Sequence, residues 1–437
     1  MDKIERVCVI GLGYIGLPTA SMFATHGLQV LGVDNNSSVI NTLWQGLIHI
    51  EEPGLATVVK AALASKNLSV AEKPVPSDVF IVAVPTPYVH GEGAIPRADM
   101  SFVVSAIESV LPVLAKGNLL ILESTSPPGT IRDLVIPMLE KAGHKVGKDL
   151  GVAYCPERVI PGQALKELIG NDRVIGAIDS YWSETAKKLY KTFVSGEIFV
   201  TNPTTAEMVK LLENTFRDVN IALANEVAVL CEKLGINAWE VIQIANRHPR
   251  VNVHRPGPGV GGHCISVDPW FLVEKFPNEA KLIRLARTIN DAVPSRVVEK
   301  IESLLKGKST PKVALLGLAY KANVDDARES PAVSVVRLLK QKHPGYSLSV
   351  YDPHVKSKEF QTQGIQEALK GAELAVVLTA HDEIRFLDPE MVGSLMATKT
   401  VFDTHNALKP ERWIPAGFQL HTLGASNTAE INRTIVS

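Results

Sequence analysis

Short apolar runs alternate with helical stretches over the first third of the chain. Residues 7–10 and 29–33 are apolar runs, and a helical stretch from about Pro18 to His26 separates them. Two further runs, residues 79–84 and 119–123, each end in a turn rich in proline, serine or threonine. This alternation is typical of a doubly wound parallel sheet, whose ligands bind beyond the carboxyl ends of the strands.

From Thr204 the apolar residues recur with a helical period, in a run that could extend to Gly235. Thr204 and Glu207 have the spacing of a capping box, which predicts the start of the helix. Helical segments are expected to continue to about residue 305, except across residues 248–269, where prolines and glycines predict a loop. So long a helix between two α/β regions favours a domain connector and a dimer surface.

The first pattern begins again at Lys312. Residues 313–317 and 348–351 are predicted strands, Ser330 and Pro331 predict a helix start, and later strands are expected at 374–378 and 400–402. We therefore predict an α/β protein with two Rossmann-like doubly wound domains joined by a helical middle domain with a long connecting helix. The expected domains are residues 1–200, 201–306 and 307–437.

Composition limits the partners. The 437 residues include 45 Lys and Arg against 46 Asp and Glu, so no global field favours nucleic acid or an anionic membrane. No segment approaches the ~20 uninterrupted apolar residues of a membrane helix, and no charged leader precedes the first strand, so a cytoplasmic protein is expected. The four cysteines are scattered without CxxC spacing, which indicates neither a zinc site nor a disulfide scaffold.

A glycine-rich turn follows the first strand. Gly11 permits a sharp bend, Gly13 lets backbone N–H groups approach a pyrophosphate, and Gly16 lets the next helix pack closely on the sheet. Asp34 ends the second strand, where a carboxylate can bind a ribose 2′-hydroxyl and would repel a 2′-phosphate. The motif therefore predicts NAD rather than NADP, although a tight turn without a ligand could use the same glycines.

A cysteine lies in the predicted loop, where Cys264 follows two glycines and precedes Asp268 by four residues. Structural cysteines usually lie in apolar helices or strands, and this one does not. A thiol can add to an aldehyde and give a hemithioacetal whose carbon still carries a hydride, so one site can carry out two oxidations. Its nucleophilicity depends on stabilisation of the thiolate.

Several polar residues could serve this chemistry. Lys210 and Asn214 are spaced i, i+4 on the long helix, where they could move a proton or stabilise an oxyanion, or simply form a solvated face. Glu157 and Asp268 are candidates for activating water. Charged residues that could bind a diphosphate, or remain solvated, are Arg158, Arg217, Arg250, Lys321 and Arg328. No metal is expected, because His248 and His263 have no third ligand at a sensible spacing.

Together these motifs resemble the UDP-sugar 6-dehydrogenase family over essentially the whole chain. The stretches are GLGYIGLP at 11–18, ESTSPPGT at 123–130, YCPERVIPG at 154–162, EMVKLLEN at 207–214, GVGGHCISVDPWF at 259–271 and GLAYKANVDDARESPA at 317–332. Within the family, HPRVN at 248–252 and GVGGHC followed by VDPWF look most like the enzymes that act on UDP-N-acetylmannosamine. One departure is Asp403-Thr404-His405, where many relatives carry a D-x-R/K motif that contacts the nucleotide.

The resemblance implies roles for individual residues. Cys264 would be the nucleophile, and Lys210 the acid/base or oxyanion group. Asn214 and Asp268 would handle water or the substrate oxygen, while Glu157 and Thr125 would support hydrolysis. The implied cofactor contacts are Gly11, Gly13, Tyr14, Ile15, Gly16, Asp34, Thr86, Thr125 and Arg328, the last across a dimer. The implied substrate contacts are Arg158, Val159, Lys210, Asn214, Arg217, His248, Arg250, Gly261, Tyr320 and Lys321.

The expected reaction is NAD-dependent four-electron oxidation of UDP-N-acetyl-D-mannosamine to its uronate by a homodimer. UDP-N-acetylglucosamine and UDP-N-acetylgalactosamine stay open as substrates. So does a single-step hydroxyacid dehydrogenase, which also combines a Rossmann domain with a Lys-x-x-x-Asn helix but needs no thiol. A binding module without catalysis is a further alternative. A cysteine hydrolase using His263 and Cys264 is disfavoured, because adjacent residues rarely point at each other.

Overall fold

The structure, a computed structural model, describes residues 4–50, 52–89, 95–160, 162–357 and 359–426. The chain divides into two compact units. The first comprises residues 1–213 with 270–277, and the second comprises residues 214–269 with 278–437. Two of the three boundaries fall inside helices, so two helices begin in one unit and end in the other.

The strands of the first unit are β1 (Arg6–Ile10), β2 (Gln29–Val33), β3 (Leu68–Ala71), β4 (Val79–Val82), β5 (Tyr88–Val89), β6 (Arg97–Ala98), β7 (Leu119–Leu122), β8 (Gly151–Tyr154), β9 (Arg173–Ala177) and β10 (Ile198–Thr201). Eight of them form a sheet in the order β10-β9-β8-β7-β4-β1-β2-β3. From β3 to β8 the strands are parallel and follow the order of a dinucleotide-binding fold, which confirms the predicted doubly wound sheet. The antiparallel pairing of β9 with β8 was not predicted.

Helices cover this sheet, so its central strands are buried on both faces. Every residue of β4, β7 and β8 is buried, which explains their uninterrupted apolar sequences. The helices of the unit are α1 (Gly16–Thr25), α2 (Ser37–Trp44), α3 (Leu55–Ala64), α4 (Ser101–Val110), α5 (Ile136–Lys141), α6 (Ala164–Gly170) and α7 (Ser180–Tyr190). A π-helical turn at Ile131–Val135 leads into α5.

The long predicted helix exists as α8 (Pro203–Leu234), but the predicted capping box is wrong. The side chain of Asn202 accepts a hydrogen bond of 2.9 Å from the Thr205 N–H, and Pro203 occupies the first helical position. Asparagine is a strong N-cap and proline is favoured just after it, so the helix begins earlier than Thr204 predicts. Glu207 then lies in the second turn, where its carboxylate binds a different part of the unit.

The second unit continues α8 and adds a helical segment and a second sheet. Its helices are α9 (Ala238–Ala245), α10 (Asp268–Lys275), which ends in the first unit, α11 (Lys281–Leu304), α12 (Pro331–Lys342), α13 (Ile365–Leu369), α14 (Asp382–Arg385), α15 (Pro389–Leu395) and α16 (Pro410–Trp413). Its strands are β11 (Lys312–Leu316), β12 (Ser347–Tyr351), β13 (Leu374–Val377), β14 (Thr400–Asp403) and β15 (Gln419–Thr422).

This second sheet is entirely parallel, in the order β12-β11-β13-β14-β15. That order is the flavodoxin-like variant of the doubly wound fold. Ser330 caps α12 by accepting from the Ala332 N–H at 3.2 Å, and Pro331 begins the helix, as predicted. The predicted fold class is confirmed. Within the described part of the chain, no helix combines the length and apolar character that a bilayer crossing requires.

Candidate active site

The glycine-rich turn joins β1 to α1. Gly11 has a φ of +92°, and a Cβ atom there would lie 2.6 Å from the Ala83 carbonyl oxygen. A Cβ atom on Gly16 would lie 1.8 Å from the Gly11 oxygen, so only glycine lets α1 begin against the turn. A Cβ atom on Gly13 would instead meet no protein atom within 4 Å. This open space at a helix N-terminus fits the pyrophosphate of a dinucleotide.

Asp34 follows β2 beside this turn. Its Oδ2 accepts from the Leu12 N–H and its Oδ1 from the Asn36 N–H, both at 2.9 Å. Because each carboxylate oxygen can accept a second hydrogen bond, Asp34 is held in place and can still bind ribose hydroxyls. Thr86 and Thr125 lie in the loops after β4 and β7, at the same carboxyl edge of the sheet. The residues present therefore fit NAD.

The second unit has a similar glycine turn, but the carboxylate that follows its second strand makes more hydrogen bonds to the protein. Gly317, at the end of β11, has a φ of +99°, and a Cβ atom there would lie 2.4 Å from the Thr379 Cβ. Asp352 follows β12 as Asp34 follows β2, but it accepts from four backbone N–H groups, including that of Leu318, and from His381 Nε2 at 3.1 Å. Burial alone would raise the pKa of Asp352, but the hydrogen bonds from His381 and the backbone lower it to about 2. This carboxylate is fully engaged, so the second turn suits a ligand other than a ribose.

His405 lies at the position where the resemblance implies a basic nucleotide contact. Its Nε2 donates to the Leu378 carbonyl oxygen at 3.0 Å, and its own N–H donates to Asp403 Oδ1 at 2.9 Å. Burial lowers the pKa of His405 below its ordinary value. The imidazole is therefore neutral at pH 7 and supplies no positive charge to a nucleotide.

One group of potential metal ligands occurs among the described residues, formed by His354, His381 and Glu383. The Asn323 N–H donates to His381 Nδ1 at 2.9 Å, and His381 Nε2 pairs with Asp352. Both ring nitrogens of His381 are thus in hydrogen bonds, which leaves no lone pair for an ion. The group is a hydrogen-bonded cluster rather than a metal centre.

The first unit brings Lys210 together with Glu157. Lys210 is 5% exposed, and its Nζ lies 4.0 Å from Glu157 Oε2. A nearly buried ammonium beside a carboxylate is the arrangement expected of a group that transfers a proton or stabilises an oxyanion. Glu157 lies in the loop after β8, where it also accepts from the Val159 N–H. The adjacent guanidinium of Arg158 is engaged by Glu213.

The second unit brings Asn214 together with Asp268. Both side chains are buried, and Asn214 Nδ2 donates to Asp268 Oδ2 at 2.6 Å. Cys264 is half-buried, whereas the other three cysteines are buried. Its carbonyl oxygen accepts from the N–H groups of Val267 and Asp268, at 3.0 and 2.8 Å, in the turn that leads into α10. Cys264 therefore lies in the turn that precedes α10, four residues before Asp268.

The loop after β11 packs on the cysteine loop. A Cβ atom on Gly262 would lie 2.8 Å from Tyr320 Cε2, and one on Gly261 would lie 2.6 Å from the Glu329 carbonyl oxygen. The Gly262 N–H donates to the Arg328 carbonyl oxygen at 3.1 Å. Both glycines are thus required by close packing of the two loops, which brings Tyr320 beside the predicted nucleophile's loop.

Arg328 is held by its neighbours. Its Nε and Nη2 donate to the carboxylate of Asp326, and Nη2 also lies 3.3 Å from His263 Nδ1. An arginine only donates, so in this hydrogen bond His263 Nδ1 is the acceptor. The other predicted basic contacts are exposed, as Arg328 is: Arg217, Lys321, His248 and Arg250. Of these, Arg217 lies close enough to Tyr320 to act on it electrostatically, as Arg328 does.

Three carboxylates that bind or flank the predicted site residues were not themselves predicted as site residues. Asp326 fixes Arg328, while Glu207 and Glu213 flank Lys210 on α8. A signal was available for the last two, since both lie within the EMVKLLEN stretch at three-residue intervals from Lys210. Their partners are distant in sequence, so the spacing alone did not reveal what they bind.

Three domain models of the UDP-glucose/GDP-mannose dehydrogenase family match the chain. The NAD binding domain matches residues 5–194, the central domain residues 204–292, and the UDP binding domain residues 314–410. The match covers most of the chain and includes the glycine-rich turn, α8 with Lys210, the cysteine loop and the second sheet except β15.

Individual relatives are similar over nearly their whole length. The UDP-N-acetyl-D-mannosamine dehydrogenase of Methanocaldococcus jannaschii is 49% identical over 440 residues, which cover 98% of this chain and 100% of that protein. The solved UDP-D-ManNAc dehydrogenase of Pyrococcus horikoshii superposes with a TM-score of 0.90 at 41% identity, covering 96% of this chain and 99% of its own. The UDP-N-acetyl-mannosamine dehydrogenase Cap5O from S. aureus gives a TM-score of 0.88 at 46% identity, with the same coverage.

Proposed function

Because this chain belongs to the UDP-glucose/GDP-mannose dehydrogenase family of NAD-dependent oxidoreductases, we propose that it oxidises the C6 alcohol of UDP-N-acetyl-D-mannosamine to the carboxylate. The choice of sugar rests on relatives 41–49% identical that act on this substrate. The observation that best supports this reaction is the position of Cys264, which is half-buried in the loop before α10. Such a thiol can hold the aldehyde as a hemithioacetal, whose carbon can then be oxidised a second time.

The proposed chemistry assigns a task to each group. Gly11, Gly13, Gly16 and Asp34 would hold NAD, which would supply the hydride acceptor, one NAD for each of the two oxidations. Lys210 takes the proton of the C6 alcohol or stabilises its oxyanion, beside Glu157. The Cys264 sulfur then adds to the aldehyde carbon, so that a carbon–sulfur bond forms and the carbonyl oxygen gains a proton.

Hydrolysis completes the proposed cycle. Loss of a hydride from the hemithioacetal carbon and of the proton from its hydroxyl group converts it to a thioester. Water then attacks that carbon, the carbon–sulfur bond breaks, and the thiol regains its proton. Asn214 and Asp268, hydrogen bonded to each other, would orient this water, with Thr125 and Glu157 in support.

We further propose contacts for the nucleotide sugar and the cofactor. Arg328 is already oriented by Asp326, so it can contact a cofactor phosphate with little loss of side-chain entropy. For the UDP-sugar we propose Val159, Arg217, His248, Arg250, Gly261, Tyr320 and Lys321. The three functional segments would be residues 1–200, 201–306 and 307–437.

We expect the purified protein to form two NADH for each UDP-N-acetyl-D-mannosamine consumed, with the uronate as product. The test is NADH absorbance against sugar consumed, over a panel of UDP-N-acetylhexosamines and with NADP in place of NAD. A higher kcat/KM for the gluco or galacto epimer would replace the proposed sugar. One NADH per sugar with free aldehyde would refute the mechanism, and NAD binding without any turnover would indicate a binding module.

We also propose that the protein is a homodimer through one face of α8. Phe216, Leu223 and Leu230 recur every seven residues on this helix, and each is about half exposed despite being large and apolar. A stripe of this kind usually marks an association surface. Light scattering should give twice the chain mass of 47.3 kDa, and replacing Leu223 and Leu230 with lysine should halve it. A monomeric wild-type protein at micromolar concentration would contradict the proposal.

A further inference from the structure

Three charged residues follow one another along the first-unit part of α8 at three-residue intervals. They are Glu207, Lys210 and Glu213. Residues three apart on a helix are surface neighbours, so the two carboxylates flank the lysine on either side. Each carboxylate binds a different loop at the carboxyl edge of the first sheet.

Glu207 binds the loop that follows β7. Its side chain is fully buried, one oxygen accepts from the Gly129 N–H, and the other accepts from the Ile131 N–H at 2.8 Å. These N–H groups begin the π-helical turn, where a helix start favours an anion. Burial raises the pKa of Glu207 to about 7 against these two donors, so the carboxylate is charged at pH 8. The bound loop, residues 123–130, carries Thr125.

Glu213 binds the loop that follows β8. The guanidinium of Arg158 pairs with both of its oxygens, through Nε at 3.1 Å and through Nη2. Arg158 Nη1 also donates to the Asp172 carbonyl oxygen at 2.7 Å. Bidentate pairing fixes both side chains in direction as well as in distance. This loop carries Glu157, whose carboxylate lies 4.0 Å from Lys210 Nζ.

We propose that Glu207 and the Arg158–Glu213 pair are positioning residues that hold Lys210 between the Thr125 loop and the Glu157 loop. The inference rests on the proposed function, in which Lys210 acts on the C6 alcohol. It also changes the role of Arg158, which acts through Glu213 and the Glu157 loop rather than on the UDP-sugar. The two carboxylates neither take nor give a proton in the reaction.

The test compares kcat and KM of full-length variants at pH 8 with UDP-N-acetyl-D-mannosamine and NAD. Arg158→Met, Glu213→Gln and Glu207→Ala should each lower kcat by about 10- to 100-fold, the loss expected when a reacting group is displaced by ~1 Å. The KM values for both substrates should change less than kcat does, because most of the proposed UDP-sugar and NAD contacts lie outside these two loops. The double variant of Arg158 and Glu213 should be no slower than the worse single one, since the two act as a unit.

Two conservative variants and one matched control pair distinguish loss of positioning from misfolding or a general effect of removing a surface ion pair. Arg158→Lys and Glu207→Gln keep part of the hydrogen bonding, so they should recover part of kcat, and circular dichroism should show that all variants fold. Arg337 and Glu359 form the same bidentate pair on the exposed surface of the second unit, and Arg337→Met should leave kcat unchanged.

The outcomes separate the two proposals. A wild-type protein inactive on every UDP-N-acetylhexosamine would remove the proposed function. An active wild type with unchanged kcat in all three variants would remove only the positioning role. A raised KM for the UDP-sugar with normal kcat in Arg158→Met would make Arg158 a substrate contact instead.

Discussion

Replacing Cys264 with alanine should abolish formation of the uronate, with a loss in acid-forming kcat on the order of 10³-fold or more, as expected when a covalent nucleophile is removed. Without the sulfur, the aldehyde cannot be held as a hemithioacetal, so the intermediate of the second oxidation is no longer retained in the site. We expect at most one NADH per sugar and free aldehyde in place of acid. The measurement is NADH stoichiometry combined with mass spectrometry of the sugar product.

Cys231 provides the matched control, because it lies on α8 in the second unit and packs against Ala228 and Ala238. Cys231→Ala removes a buried thiol at a cost in stability but should leave two NADH per sugar. Cys264→Ser should release acid far more slowly than the wild type, since a hydroxyl is a weaker nucleophile. Full four-electron turnover in Cys264→Ala would instead show that the acid forms without a covalent intermediate and would remove the thioester from the mechanism.

The fold was largely predictable because its central strands are buried on both faces. Continuous apolar runs such as β4 and β7 stand out from their surroundings, and the turns after them are rich in helix-breaking residues. The reversed edge at β9 was not predictable in this way. Strand direction depends on how the connection through α6 packs, and the apolar pattern of Arg173–Ala177 is the same in either direction.

The site residues that form motifs were predictable, and those that support them were not. Glycines that need close approach, such as Gly11 and Gly16, occupy fixed positions relative to a strand and a helix. Glu207 and Glu213 have partners 76 and 55 residues away, so nothing local distinguishes them from solvated charges. The capping-box error has the same origin, because the spacing of Thr204 and Glu207 fits a cap while the carboxylate is used elsewhere.

We expect a methyl group added to the glycine-rich turn to weaken NAD binding at Gly13 and to destabilise the fold at Gly16. In Gly13→Ala the new Cβ meets no protein atom within 4 Å, so the fold should keep its melting temperature in the absence of NAD. The methyl group occupies the space that the pyrophosphate needs, and overpacking of ~1–3 kcal/mol corresponds to a ~5- to 150-fold weaker NAD Kd. Calorimetric titration with NAD, together with thermal unfolding of the apo-protein, measures both quantities.

Gly16→Ala should instead destabilise the fold. Its Cβ would lie 1.8 Å from the Gly11 oxygen, so α1 must move away from the turn, and we expect a loss of ~3 kcal/mol or more in folding free energy. Gly170 also has open space around its Cβ position but lies at the end of α6, so Gly170→Ala should change neither property. If Gly13→Ala bound NAD normally, the pyrophosphate would have to lie elsewhere. Wild-type stability in Gly16→Ala would show that α1 does not need the close contact with the turn.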